Sequence, residues 1–218
     1  MSERLDPVID TSAIDPDRYE KHGGFPKMVA ANPPREFGEL VETMRRLQDL
    51  TSTVDAPDSV YADALHRARE LADLLAPYEA PERQGPAGRT TSLPARGQLL
   101  LLPWQITTAG PTGMTMRGEF SRYYLGGNNA VHGGVLPLLF DDMFGWMMHY
   151  AGRPVSRTAF LHVNYRQVTP LQKPLHAVGT VDRVEGRKTF VSARLLDESE
   201  TVLADCEGLM VQLRPWQP

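Results

Sequence analysis

Between Asn128 and Ala151 the chain reads N-N-A-V-H-G-G-V-L-P-L-L-F-D-D-M-F-G-W-M-M-H-Y-A. A histidine, His132, precedes the paired glycines Gly133 and Gly134, and the aspartates Asp141 and Asp142 begin nine positions after it. Val135 to Met148 is almost wholly apolar, a length that suits a helix better than a strand. Pro137 is compatible with that helix only if it starts late, near Gly133 or Gly134, because a first-turn residue needs no backbone N–H. The amides just ahead are then unpaired, at the positive end of a helix dipole, with no Cβ in the way. Such amides suit a developing oxyanion or a phosphate. A carboxylate inside an apolar helix costs several kcal/mol unless paired, so each aspartate is either a reacting group or a compensated structural one. Asp141 is the expected functional member, and Asp142 is expected to face solvent or cap a neighbouring element.

Spacing restricts how these groups can meet. Nine helical residues span about 13 Å and end roughly half a turn out of phase, so His132 and Asp141 cannot share one site within a chain. Two copies of the helix lying antiparallel across a dimer axis could bring them together, so the spacing argues for an oligomer if both ends are catalytic, the expected form being a homodimer or a dimer of dimers. Because the apolar side chains run all the way round, the helix is expected to be buried on most faces.

Other elements must hold this helix. Residues 1–34 are polar and broken by Pro7, Pro16, Pro26, Pro33 and Pro34, and read as an irregular arm. A second H-G-G at His22, Gly23 and Gly24 has no apolar helix behind it and is taken as a decoy. Phe37, Leu40, Val41, Met44, Leu47 and Leu50 recur at helical spacing. So do Val60, Ala64, Leu65, Ala68, Leu71 and Leu75, between Pro57 and Pro77. The two predict a helical hairpin packed on the main domain. Residues 79–97, rich in Pro, Gly, Arg and Thr, read as a linker. Strand-like runs follow at 98–108 and 114–124 around Gly110-Pro111-Thr112-Gly113, then at 157–168, 175–184, 188–196 and 202–214. The last three form an antiparallel meander. In Ala159, Leu161, Val163 and Tyr165 one apolar face alternates with His162 and Asn164. The fold class is therefore α+β, roughly six strands wrapped around one long buried helix. Residues 1–96 make an N-terminal arm and helical extension, and 97–218 the main domain.

Composition excludes several classes. A net charge of -4 gives no general basic character. A helix-turn-helix reader would need a basic recognition helix, whereas Asp58, Asp63, Glu70 and Asp73 at least balance Arg67 and Arg69, so no nucleic acid partner is expected. The single cysteine, Cys206, fits a reducing cytosol. The opening M-S-E-R-L-D lacks the features of a signal peptide, and no apolar run reaches a membrane span. A cytoplasmic location is expected. No G-x-S-x-G or H-E-x-x-H occurs, so neither serine-nucleophile nor metal chemistry is indicated, and no metal is expected.

The H-G-G, the apolar helix and the acid nine residues after the histidine together resemble hotdog-fold acyl-CoA thioesterases. Within these the chain is most similar to the PaaI-type enzymes and the vertebrate thioesterase-superfamily-member proteins. T-A-F-L-H-V-N-Y-R at 158–166 and V-E-G-R-K-T-F-V-S at 184–192 look like the second group. The resemblance covers roughly residues 97–215. It implies that Asp141 acts as nucleophile or as general base for water, and that the Gly133 N–H polarises the thioester carbonyl. His132 would hold that loop or approach the leaving thiolate, a purely structural histidine being the alternative. Thr158 corresponds to a water-orienting hydroxyl, with Ser156 as the other candidate. Arg187 and Lys188 correspond to a basic turn that meets CoA phosphates, and Gly134 and Asn129 fall among the substrate contacts. No cofactor is implied beyond the CoA of the substrate. Many relatives carry an asparagine where this chain has Gly126; here the asparagines are Asn128 and Asn129.

Two other functions fit the same pattern. Hydratases and dehydratases share the fold but generally use a catalytic histidine with the acid placed differently. A non-catalytic acyl-CoA-binding module would gain nothing from an acid at position 141.

Overall fold

The computed structural model describes residues 29–82 and 84–214. Most of the predicted arm, and the H-G-G at His22, lie outside the described residues. Six strands form one antiparallel sheet: β1 (Gln105–Gly110), β2 (Gly113–Gly118), β5 (Ser156–Tyr165), β6 (Leu175–Glu185), β7 (Lys188–Asp197) and β8 (Val202–Gln212). Its order is β1-β2-β6-β7-β8-β5, so the predicted meander β6-β7-β8 is its centre and β5 is an edge. Between β2 and β5 come the short hairpin β3 (Leu125–Gly127) and β4 (Ala130–Val131), then helix α3 (Val135–Tyr150). The helix touches β1 and β5, the two outer strands, as well as β2, β6 and β8 between them. A flat sheet of this width, about 24 Å at 4.8 Å per strand spacing, could not do that. The sheet is curled around the helix, the hotdog architecture expected.

Burial on α3 is one-sided within the chain. Leu136, Leu139, Phe140, Met143, Phe144, Met147 and Met148 are buried, a series at spacings of three and four. Asp141 and Gly145 are exposed on the other side, which corrects the expectation of burial on most faces. Two glycines let the sheet come this close. A Cβ on Gly208 would lie 2.6 Å from the Phe144 ring, and one on Gly179 would lie 2.5 Å from Met147 Sδ. The core around them holds Trp104, Phe120, Ala177, Val191 and Leu195.

The N-terminal region divides differently from the hairpin expected. Helix α1 (Arg35–Thr51) docks: Val41 is buried, and Asp49 Oδ1 accepts from the Tyr123 N–H at 2.8 Å. The Arg45 guanidinium donates to the Gln98 carbonyl and bonds the Tyr124 phenol. Burial lowers the Arg45 pKa and raises that of the Tyr124 phenol, each shift opposed in part by the contact between the two groups. Helix α2 (Asp58–Leu75), by contrast, buries nothing, with Val60 51%, Leu65 51% and Leu75 46% exposed. Its apolar stripe is real, but no part of the described chain covers it.

The segment read as a linker is also packed. Thr90, Ala95 and Gly97 are buried, and a Cβ on Gly38 of α1 would meet Leu93 at 3.1 Å. Its sequence is loop-like because it forms tight turns, not because it is detached.

Candidate active site

The glycine end of α3 is set by His132. Its backbone N–H donates to Tyr124 O at 2.8 Å, and its carbonyl accepts from Val135 N–H at 2.9 Å. Leu136 N–H reaches Gly133 O at 3.3 Å, so the helix opens in a tight i→i+3 turn. Helical residues begin at Val135 with Gly134 as N-cap, and Pro137 is third, inside the first turn as its missing N–H requires. Gly134 N–H donates to His132 Nδ1 at 3.1 Å. That contact fixes the tautomer, since an accepting Nδ1 carries no proton. With Gly134, Val135 and Leu136 supplied, the Gly133 N–H is left with no acceptor among the described residues.

Tyr165, at the end of β5, covers this turn. Its hydroxyl donates to Gly133 O at 3.0 Å, and a Cβ on Gly133 would lie 3.3 Å from its ring. An open cavity of about 450 Å³ adjoins the same turn, lined by Val131, Gly133, Leu136, Tyr165, Arg166 and Val168 among others. Arg166 is paired with Asp205, which also accepts from Asn164 Nδ2 at 2.7 Å. The Arg166 guanidinium holds the Asp205 carboxyl below its ordinary range, against a smaller opposing effect of burial.

The aspartate end is built against the other end of β5. Thr158 Oγ1 donates to Asp141 Oδ1 at 2.6 Å, and Met210 Sδ lies 3.5 Å from the same hydroxyl. Ser156 Oγ is turned away, donating to Pro154 O at 3.0 Å. The register explains how Thr158 reaches the helix. Thr158 pairs with Met210 and Phe160 with Leu209, leaving Ala159 as an extra residue. Without that bulge, strict alternation would put Thr158 on the face of Phe160 and His162, away from α3. The extra residue flips the parity, and Thr158 joins Leu161 and Val163 on the helix side. Ala159, expected on that apolar face, is exposed instead.

The two ends stay apart within one chain, tied to opposite ends of the same strand. Residues 128–204 match the family model described as Thioesterase superfamily. Acyl-coenzyme A thioesterase THEM4 of Mus musculus is 31% identical over 90 residues, 40% of this chain and 38% of that protein. The match thus spans little more than a third of that relative. A crystal structure of a thioesterase superfamily protein superposes with a TM-score of 0.71 at 21% identity, covering 85% of this chain and 95% of that one. Residues 97–214 are little more than half of the chain, so the shared fold extends into the N-terminal region. The E. coli PaaI protein superposes with a TM-score of 0.48 at 15% identity, over 50% of this chain and 82% of that one.

The other predicted residues of the matched stretch lie elsewhere. Asn128 and Asn129 are the exposed tip of the β3–β4 hairpin, with φ 49 and 57. Left-handed backbone at both positions of a two-residue loop favours asparagine whatever else it does. Arg187 and Lys188 are exposed in the β6–β7 turn, at the Thr158 end of the sheet, where Lys188 pairs with Val211 and Thr158 with Met210. Arg187 Nη1 donates to Gln212 O at 2.8 Å, and Arg153 Nη2 donates to Gly186 O at 2.9 Å, so this turn is gathered by two arginines.

Asp142 is neither solvated nor a cap. Its Oδ1 lies 2.7 Å from Arg96 Nη2, and the two side chains are 12% and 18% exposed. Arg96 also lies over the Trp146 ring, 4.9 Å from its centroid. Sequence patterning did not single out Arg96, which sits in a segment with no periodicity, 46 residues from its partner. Its backbone is left-handed at φ 54, as is Ala95 at φ 51, a conformation costing about 1–2 kcal/mol per non-glycine residue.

Cys206 is buried and has its thiol pushed up to about 12, chiefly by burial. Among the described residues no group of three or more His, Cys, Asp or Glu could hold a metal, and no helix is long and apolar enough to cross a membrane.

Proposed function

We propose that the chain hydrolyses acyl-CoA thioesters to the free acid and CoA, as a homodimer or dimer of dimers. Each site would combine Asp141 of one subunit with the Gly133 amide of the partner subunit. The observation that carries this reading is the contact of Asp141 with Thr158 on the outward side of α3, while the one unpaired amide of the helix start lies at the far end. The acyl-CoA thioesterase named among the relatives supports the substrate class. Gly145 supports the assembly: it follows Asp141 by one helical turn, is exposed, and has nothing within 4 Å of its Cβ direction. A mid-helix glycine costs about 1 kcal/mol relative to alanine, a cost explained if another backbone must pass close to Asp141.

In this reading Thr158 spends its proton on Asp141 and keeps its oxygen lone pairs for a water. Asp141 accepts a proton from that water as the oxygen adds to the thioester carbonyl carbon. The carbonyl oxygen becomes an oxyanion and accepts from the Gly133 N–H, at a helix N-terminus. Collapse breaks the C–S bond, and the CoA thiolate leaves to take a proton. Direct attack by the Asp141 carboxylate, followed by hydrolysis of the anhydride, is the alternative with the same residues. Residues 97–218 would carry this chemistry and 1–96 would serve it. Arg187 and Lys188 would meet CoA phosphates, and Asn129 and Gly134 would flank the substrate. No cofactor beyond the CoA of the substrate is called for, no nucleic acid partner is involved, and a cytoplasmic location belongs to the same proposal.

The test is thiol release from a panel of acyl-CoAs by the wild type and Asp141→Asn. Turnover should fall by a factor of about 100 to 10,000. A fully active variant would put the binding-module reading first. The hydratase reading, which needs a catalytic histidine, has to account for a His132 whose Nδ1 is already committed to Gly134.

A further inference from the structure

The turn at 94–97 is held in an unfavourable shape for a visible result. Three consecutive residues, Ala95, Arg96 and Gly97, are left-handed, with φ 51, 54 and 75. Hydrogen bonds from Arg96 N–H to Leu93 O, Gln98 N–H to Ala95 O and Gly88 N–H to Arg96 O lock the turn at 2.9–3.0 Å. A Cβ on Gly97 would meet Phe37 of α1 at 2.9 Å, so the first helix is pressed on its back. What the turn delivers is one largely covered cation, 18% exposed. It grips Asp142 and, one helical turn later, Trp146. Strained backbone persists where surrounding structure over-determines it, and here it presents Arg96 to the residue next to Asp141.

We propose that Arg96 is a positioning residue for the hydrolysis, setting the rotation of α3 and neutralising the carboxylate beside Asp141. This rests on the reading of Asp141 as the reacting acid. Adjacent helical residues are about 100° apart, so any rotation that moves Asp142 also swings Asp141 away from Thr158. Two contacts on one face, at Asp142 and Trp146, hold that rotation. Charge is the second part: with Arg96 in place, Asp142 is balanced and adds little repulsion at Asp141. The other titratable groups around Asp141 are few. Cys206 on β8 feels its charge but is a neutral thiol, and Arg157 precedes Thr158 on β5. β2 and β6 contribute the uncharged Met114, Met116 and Ala177 to the core around the helix, and β1 has no titratable side chain.

The test is the pH profile of kcat/KM for the wild type, Arg96→Met, Asp142→Asn and the double variant. Removing the cation leaves a second negative charge beside Asp141, which favours its protonated form, so the acid limb of Arg96→Met should move up by about half a unit to one unit. Asp142→Asn leaves the cation unbalanced, and its limb should move down. The double variant carries neither charge and should return to within about 0.2 unit of the wild type. Plateau kcat should fall roughly tenfold in both single variants with KM little changed, the signature of lost positioning at the reacting centre. A merely structural contact would lower the melting temperature and leave all four limbs superimposed, and that outcome overturns the proposal. Should Arg96→Met be too unstable to assay, Asp142→Asn and the neutral double variant decide, because an unmoved limb in Asp142→Asn is sufficient refutation. An active Asp141→Asn enzyme removes the underlying reading. An inactive one with superimposed limbs removes only the role of Arg96.

Discussion

Thr158 donates to a carboxylate that, in the proposed reaction, must collect a proton from water, and its removal should be felt in turnover more than in binding. Thr158→Ala should lower kcat by about 10- to 100-fold, while Thr158→Ser, which keeps the donor, should stay within about threefold. Ser156→Ala should be nearly silent, because that hydroxyl is occupied by Pro154 O. Steady-state thiol release from one acyl-CoA separates the three. Asp205 gives a residue-scale prediction of stability. Its folded pKa is depressed by Arg166, so its contribution is fully present above the unfolded value near 3.8 and is lost as pH falls through the lower folded value. Asp205→Asn should therefore cost something at pH 7, under about 1 kcal/mol for a pair this exposed. Once the pH is below the folded value that cost should vanish, as denaturant midpoints at neutral and strongly acidic pH would show. Asp141 stood out in the sequence because an acid in an apolar run is conspicuous. The choice between Thr158 and Ser156 was not legible, since it depends on a bulge at Ala159 that no composition marks. Arg96 was not legible either, because its partner is far away in sequence and its own segment has no period.

Among the elements, α3 and the sheet meet through absent side chains, and the two glycines that allow it should differ in their tolerance of alanine. Gly208→Ala drives a methyl into the Phe144 ring, with Leu161 Cδ2 3.3 Å from the same point. It should cost about 1–3 kcal/mol. Gly179→Ala meets Met147 Sδ and Met143 Cε, ends of flexible chains that can re-pack, and should cost clearly less. Thermal melts of the two variants would show the order, and equal losses would mean that the methionine side is as rigid as the aromatic one. The strands, α1 and α2 were readable because their periodicities of two and 3.6 persist over whole segments, and α3 because its apolar run is too long for a strand. Proline marked the boundaries of α2 at Pro57 and Pro77. What the pattern could not say is which stripes are covered. Leu136, Phe140 and Met143 on α3 and Val60, Leu65 and Leu75 on α2 are the same kind of signal, yet the first set is buried and the second exposed. A hydrophobic stripe states a demand for a partner without naming one.

For the whole molecule the expectation is that activity belongs to an assembly. Equal mixing of inactive Gly133→Val and inactive Asp141→Asn chains should restore about a quarter of wild-type activity, since half of the dimers are mixed and each has one intact site of two. Light scattering should find no active monomer, and an active one would remove the composite site. That expectation came from nine residues of spacing, and the structure keeps the two ends on opposite ends of β5. Packing of the N-terminal region on the main domain was expected, and α1 reaches it directly through Asp49 and Arg45; the part played by residues 79–97 was not legible, because that segment reads as a linker. One buried atom has a practical consequence for all of these assays. The Cys206 sulfur sits mid-sheet, 1% exposed, opposite Val163 and Ala193. With its thiol near 12, only about one molecule in 10,000 carries the thiolate at pH 8. A thiol-specific dye added to the folded protein therefore has almost nothing to colour, and the signal it develops belongs to liberated CoA. The same silence can be turned round: in rising urea, the rate at which the dye finds its one hidden target becomes a clock for the opening of the whole sheet.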